Sequence, residues 1–230
     1  VGSEMCIRDR YVADFATFAS TVGREYAMGR PLDLYCHSMG GGIGAAVLER
    51  YPSLFDKAVL SAPMIAPAVG MPTWVARIVV GGICALGFGK SRVFGHADFS
   101  DNLNLDDYRG ASEARIRWFH KQRLADECCW TNAATFEWAN QAMALSRAVL
   151  KPDMCGAIET PTLLFQAGLD VWVLNGPQDE FIERVREGGG SIEKVRYDQS
   201  LHEIFSMPND VVGPYLKRIL DFLGAHDVGL

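Results

Sequence analysis

The sequence predicts an α/β fold: a mostly parallel sheet with flanking helices, interrupted by a long helical insert. Three observations predict it. Residues 32 to 61 spell strand, sharp turn, helix, strand, which is a parallel βαβ unit. Residues 160 to 223 return to the same grammar, and residues 64 to 156 between them hold no convincing strand.

The elements follow in order. The first ten residues, VGSEMCIRDR, resemble a translated sequencing-adapter scar, so the fold is read from Tyr11 onward and the natural protein is expected to begin further upstream. Val12, Phe15, Phe18, Val22 and Tyr26 recur at helical spacing over 11 to 28, and Gly29 and Pro31 end that helix. Leu32 to Cys36 is a short strand, Gly41 to Arg50 a helix stopped by Pro52, and Lys57 to Ser61 a buried strand. This first core part spans 11 to 63. The insert, 64 to 156, carries Met64, Met71, Trp74, Trp118, Trp130, Trp138 and Met143, with a polar loop at 98 to 110. The second core part, 157 to 230, holds a strand at Thr162 to Ala167, a turn through Gly168 and Asp170, and a helix at 177 to 187. An alternating strand at 192 to 197 and a last helix at 210 to 223 complete it.

Composition narrows the functions. The chain has 230 residues, 49% of them hydrophobic, enough for a sizeable core. A net charge of −6 disfavours nucleic acid as a partner. The longest apolar run, Ile78 to Gly89, has twelve residues, against roughly 20 for a spanning helix. The six cysteines, Cys6, Cys36, Cys84, Cys128, Cys129 and Cys155, show no C-x-x-C pair and read as reduced thiols in a cytoplasmic setting. No Cys/His group has ligand spacing, so neither a metal nor another cofactor is expected.

The chemistry concentrates at Cys36-His37-Ser38-Met39-Gly40, on the strand-to-helix turn. A serine there projects from the sheet edge, small residues two before and two after it let strand and helix approach, and Met39 N–H at the helix start is an oxyanion donor. The bland alternative makes Ser38 a helix cap. Cys36 is a rival nucleophile, set aside because it points from the strand side, and the His37 ring is expected to face away from the turn. A serine needs a base and the base an acid. Asp170 follows one strand and His202 the next, so both fall on the sheet edge that holds Ser38. His96 and His120 lie in the insert and His226 in the tail; Asp179, Asp198 and Glu203 are the alternative acids.

These segments, LYCHSMGGGIGAAVLERYP with VLSAPM, ETPTLLFQAGLDVWVLNGPQDEF and LHEIFSMPND, resemble the lysophospholipase / monoacylglycerol lipase branch of the α/β-hydrolases. The resemblance covers most of 11 to 63 and 157 to 224, and loosely the insert, which it makes a cap. It implies Ser38 as nucleophile, Asp170 as acid, His202 as base, and hydrolysis of carboxylic esters of monoacyl lipids. A small-ester esterase, a thioesterase, an acyltransferase or a non-catalytic binding protein share the same fold. The apolar stretch Trp74 to Phe88 is expected to touch a membrane surface transiently. The family also carries a sheet half before the first helix, with a loop giving a second oxyanion N–H. That half is not found before Tyr11, so the chain as it stands is expected to be N-terminally truncated and impaired.

Overall fold

In the computed structural model, residues 4–95, 99–130 and 133–224 are described. Four strands, Leu34–His37 (β1), Ala58–Ser61 (β2), Thr162–Ala167 (β3) and Ile192–Tyr197 (β4), pair in parallel in the order β1-β2-β3-β4. The two central strands are buried at every position, as continuous apolar runs in parallel sheets are. Glu193 and Arg196 on β4 face solvent, because that strand is an edge. β1 is the opposite edge, with β2 as its sheet neighbour. The register sets His37 beside Ser61, Ser61 beside Phe165 and Ala167 beside Tyr197, so the carboxyl ends of all four strands form one rim.

Helical structure begins at Glu4, inside the decapeptide set aside above. It runs through Glu4–Phe18 (α1), a π-helical turn at Ala19–Gly23 and Arg24–Ala27 (α2). It ends where Met28 and Gly29 turn left-handed, at φ 50° and 80°. Met39–Arg50 (α3) connects β1 to β2. Between β2 and β3 come Thr73–Ile83 (α4), extended by a π-helical Cys84–Phe88, then Glu113–Ala125 (α5), Phe136–Val149 (α6) and Pro152–Cys155 (α7). Of the polar loop expected at 98 to 110, the described residues 99 to 110 contain the 3₁₀ turn Leu105–Tyr108. Asn175–Glu187 (α8) crosses from β3 to β4, and Asn209–Gly224 (α9) closes the described chain. His96, Asp98 and His226 lie outside the described residues.

The sheet is covered on both faces, and strand alternation sorts its residues between them. Leu34, Leu60 and Leu164 pack with Val12 and Ala16 of α1, Ala45 and Leu48 of α3 and Phe181 of α8. Val59, Leu163 and Phe165 pack with Tyr215 and Ile219 of α9 on the other face. A separate small core joins α4 to α6 through Ala76, Val80, Phe136 and Met143. That inward stripe leaves the outer side of α4 uncovered: Trp74 and Ile78 are 67% and 68% exposed.

One buried acidic side chain stands out in this packing. Glu49 of α3 is 4% exposed and its Oε1 lies 3.9 Å from the Cys155 thiol. Burial first of all pushes its carboxyl up to about 9, so the folded protein holds it protonated. A raised folded-state value stabilises the fold fully below the ordinary value of 4.5 and loses that contribution as pH rises through about 9. Glu49→Gln, which keeps the shape and cannot ionise, is therefore expected to flatten this slope. Urea midpoints should match wild type near pH 4 and exceed it at pH 8 to 9.

Candidate active site

The site is built on one turn. β1 ends at His37, α3 begins at Met39, and Ser38 alone joins them with φ 54° and ψ −122°. Its N–H donates to Ser61 O at 3.1 Å, and its carbonyl accepts from Gly42 N at 3.2 Å and Met64 N at 2.8 Å. These bonds hold a conformation that a non-glycine residue resists. α3 leaves the sheet at once because three glycines face it. A Cβ would stand 2.6 Å from Pro63 Cβ at Gly41, 2.5 Å from Met64 O at Gly42 and 2.8 Å from Cys36 Sγ at Gly44. Of the run Gly40-Gly41-Gly42 expected to give room on the helix side, the last two are crowded, whereas a Cβ at Gly40 meets nothing within 4 Å. The crowded positions lie on the side of the first helical turns that rests against β1 and the chain leaving β2. Cys36 fits two residues before Ser38 because Gly44 makes room for it.

The partners arrive from two crossing turns. At Gly168 a Cβ would lie 2.2 Å from Asp198 O, so the turn after β3 rests directly on the turn after β4. Gly168 N–H donates to Tyr197 O and Leu169 N–H to Ser200 O, both at 2.9 Å. This contact carries Asp170 to His202. Asp170 Oδ1 accepts the N–H groups of Trp172 at 2.9 Å and Val173 at 3.0 Å. Its Oδ2 accepts Nδ1–H of His202 at 2.6 Å. With Nδ1 protonated, His202 Nε2 is the acceptor that lies 2.7 Å from Ser38 Oγ. The Asp170 side chain is fully buried and that of His202 is 6% exposed, so water competes little for these bonds. From the far side, Ala68 N–H donates to Trp172 O and Leu174 N–H to Ala66 O, which ties the acid turn to the segment leaving β2.

His37 departs from expectation. Its ring does not point away; it lies 4.8 Å from the His202 ring and 5.0 Å from Phe205, and Nδ1–H donates to Ser61 O at 3.1 Å. Burial, then the neighbouring His202, pull its value down to about 4. The direction of this ring depends on where the His202 loop runs, which local sequence does not carry. The remaining candidates lie elsewhere. The Cys36 thiol is buried and pushed up to about 12, which leaves it protonated and unreactive. His120 Nε2 bonds to Asp101 O, Asp179 pairs with Lys194, and Asp198 pairs with Arg196.

The Met39 N–H opens α3, where backbone donors have no acceptor within the helix and the helix end is partly positive. Above it, Trp138 Nε1–H reaches Met39 Sδ at 3.4 Å. A cavity of about 210 Å³ opens beside this pair, lined by Met39, Ile43, Met64, Trp138, Ala142 and Leu145 among others. Serine, histidine and aspartate in this relay can activate a hydroxyl, and the cavity offers apolar room beside it.

Known proteins place this arrangement in context. The sequence pattern of the family described as serine aminopeptidase, S33, matches residues 7–209. Lysophospholipase L2 of Escherichia coli strain K12 is 28% identical over 94% of this chain, and the chain spans 64% of that relative's length. A monoacylglycerol lipase structure from Paleococcus ferrophilus superposes with a TM-score of 0.64 at 16% identity, covering 94% of this chain and 76% of its own. A soluble variant of monoglyceride lipase from Saccharomyces cerevisiae gives 0.65 at 18% identity, covering 92% and 68%. At these identities the structures establish the fold, which is that of the α/β-hydrolases.

The depressed His37 value has a consequence for stability. Between about 6.5 and about 4 the unfolded chain takes up a proton that the folded chain refuses, so stability falls as pH drops through that window. His37→Asn is expected to lessen the fall, read as the difference in urea midpoint between pH 7 and pH 4.5.

Proposed function

We propose, from the premise that this chain belongs to the serine aminopeptidase S33 family of α/β-hydrolases, that it forms the catalytic part of a serine hydrolase acting on carboxylic esters of monoacyl lipids. The observation that carries the reading is the hydrogen-bonded relay Ser38–His202–Asp170, at 2.7 and 2.6 Å, on a strand-to-helix turn. Ser38 Oγ attacks the ester carbonyl carbon as its proton passes to His202 Nε2. Asp170 holds the ring in the required tautomer and stabilises its charged form. The oxyanion rests against Met39 N–H. The alcohol leaves with the proton from His202, and water, deprotonated by the same nitrogen, then cleaves the acyl-enzyme. No bound cofactor takes part in this scheme.

Three features support a lipid substrate. The relative named lysophospholipase L2 is similar along nearly the whole chain. The cavity beside Met39 is lined mainly by apolar side chains. The third feature is the outer side of α4 and the segment after it. In this reading residues 64 to 156 act as a cap over the acyl chain. Trp74, Ile78, Leu86 and Phe88 form its uncovered apolar surface. Residues 71 to 94 carry Arg77, Lys90 and Arg92 and no acidic residue, in a chain of net charge −6. Such a surface suits transient contact with a membrane from the cytoplasmic side. No helix among the described residues is long and apolar enough to cross one.

In the full-length natural protein, Ser38→Ala should lower hydrolysis of p-nitrophenyl acyl esters by about 10⁶ in kcat, with an unchanged melting curve. His202→Ala should cost about as much, and His120→Ala, whose ring bonds to Asp101 O, should cost little. An alanine variant at 38 that kept more than about a tenth of turnover would remove Ser38 from the mechanism. Chain length gives a separate check. A buried methylene contributes about 0.8 kcal/mol, roughly fourfold in kcat/KM. Esters from two to sixteen carbons should therefore rise in kcat/KM until the pocket fills. A steady fall beyond four carbons would favour a small-ester esterase.

A further inference from the structure

Two side chains stand beside the base and take no part in acyl transfer. One ring nitrogen of His37, one of His202 and one carboxylate oxygen of Glu203 all lie within 4.8 Å of one another. The two rings share a further property. Each Nδ1 is already engaged, His37 with the backbone carbonyl of Ser61 at 3.1 Å and His202 with the Asp170 carboxylate at 2.6 Å. Each ring therefore keeps Nε2 without a proton; that of His202 accepts from Ser38 Oγ at 2.7 Å and must exchange this partner for a metal. A ring N–H donated to a carbonyl or carboxylate, with the opposite nitrogen presented, is the arrangement of histidines that bind transition metals. Neither ring has to lose a proton to become a ligand.

We infer that His37, His202 and Glu203 form an inhibitory site for a divalent transition metal of zinc type. The inference rests on the reading of His202 as the catalytic base. Two imidazoles and one carboxylate are a donor set that zinc accepts, with water as fourth ligand. Bonds of about 2.0–2.1 Å place tetrahedral ligands roughly 3.4 Å apart, so the cluster must contract. Phe205 packs against the His37 ring and holds it, while Glu203 is only partly buried and can swing inward. His202 supplies the rest by turning off Ser38. The consequence is chemical. The lone pair that would accept the Ser38 proton is taken by the metal, so the hydroxyl is not activated. The exchange is reversible: three metal-bound waters leave, three protein ligands enter, and a chelator reverses it. Sequence spacing concealed the site because His37 precedes the nucleophile and Glu203 follows the base, in segments far apart along the chain.

The test uses zinc chloride as the probe and two readouts on the metal-free protein: calorimetric titration, and the rate at which a fluorophosphonate labels Ser38. One equivalent of zinc should bind and slow labelling at least tenfold, and a chelator should restore it. Magnesium at the same concentration should do neither, because it selects all-oxygen sites. Glu203→Gln should label at the wild-type rate without zinc yet bind zinc at least tenfold more weakly. His37→Asn should show the same loss of affinity. Absence of binding, equal affinity in both variants, or full labelling of the zinc-bound protein would overturn the inference. Failure to label without zinc would instead sink the hydrolase reading, and the calorimetric arm would still decide whether the three residues hold the metal.

Discussion

The sheet edge is organised around one backbone conformation, that of Ser38 at φ 54° and ψ −122°. Left to itself, a serine held there costs on the order of 1–3 kcal/mol. The surroundings offset this by over-determination. Its N–H is fixed by β2, its carbonyl by α3 and by the chain leaving β2. The glycines at 41, 42 and 44 remove the side chains that would push α3 away from β1 and the chain leaving β2. Strain at one residue and missing side chains at three others are thus two sides of one constraint. A hydroxyl is held clear of the sheet, and a helix start with free N–H groups is held directly behind it.

The rest of the site depends on that edge being shared. Parallel pairing brings every strand's carboxyl end to one rim, so turns after β3 and β4 necessarily face the turn after β1. Sharing the rim is not enough to set hydrogen-bond distances. Those come from the stacking of Gly168 on Asp198, where backbone touches backbone and no side chain can intervene. Asp170 is then buried as a carboxylate with two N–H donors and one imidazole around it, which is how a charge is tolerated away from water.

The elements that were legible from the sequence are those whose pattern reports burial directly. Thr162–Ala167 is a mostly apolar run followed by a glycine, and Ile192–Tyr197 alternates, so both strands have the expected bounds. Ser38, Asp170 and His202 could be aligned because each follows a strand by a short turn. Side-chain direction and long-range contact were not legible. His37 is held inward by Ser61 O on the next strand and by Phe205 and His202, far along the chain. Glu49 follows Leu48 near the end of α3, beside Arg50, where an acidic residue ordinarily meets water; it is buried by residues near Cys155. The run Gly40-Gly41-Gly42 marks the close approach, but spacing alone does not separate Gly40, which is open, from its neighbours or point to Gly44. Crowding in fact follows the helix face, which puts it at 41, 42 and 44.

The acid turn has an asymmetry that bears on how the site tolerates change. The side chains at 171 and 172 point outward and are largely exposed, while the N–H groups of 172 and 173 point inward to Asp170. Trp172 also accepts Ala68 N–H through its carbonyl, so one peptide backbone links the carboxylate to the chain that leads into α4. Both links are made by main-chain atoms, which nineteen residue types present identically and proline alone cannot. The outward side chains can therefore vary with whatever surface lies above the mouth, and Asp170 keeps its two donors throughout. What the turn cannot accept is a displacement of residues 66 to 68. That would pull on Trp172 directly and, through its N–H, on the oxygen atom opposite the one that orients His202.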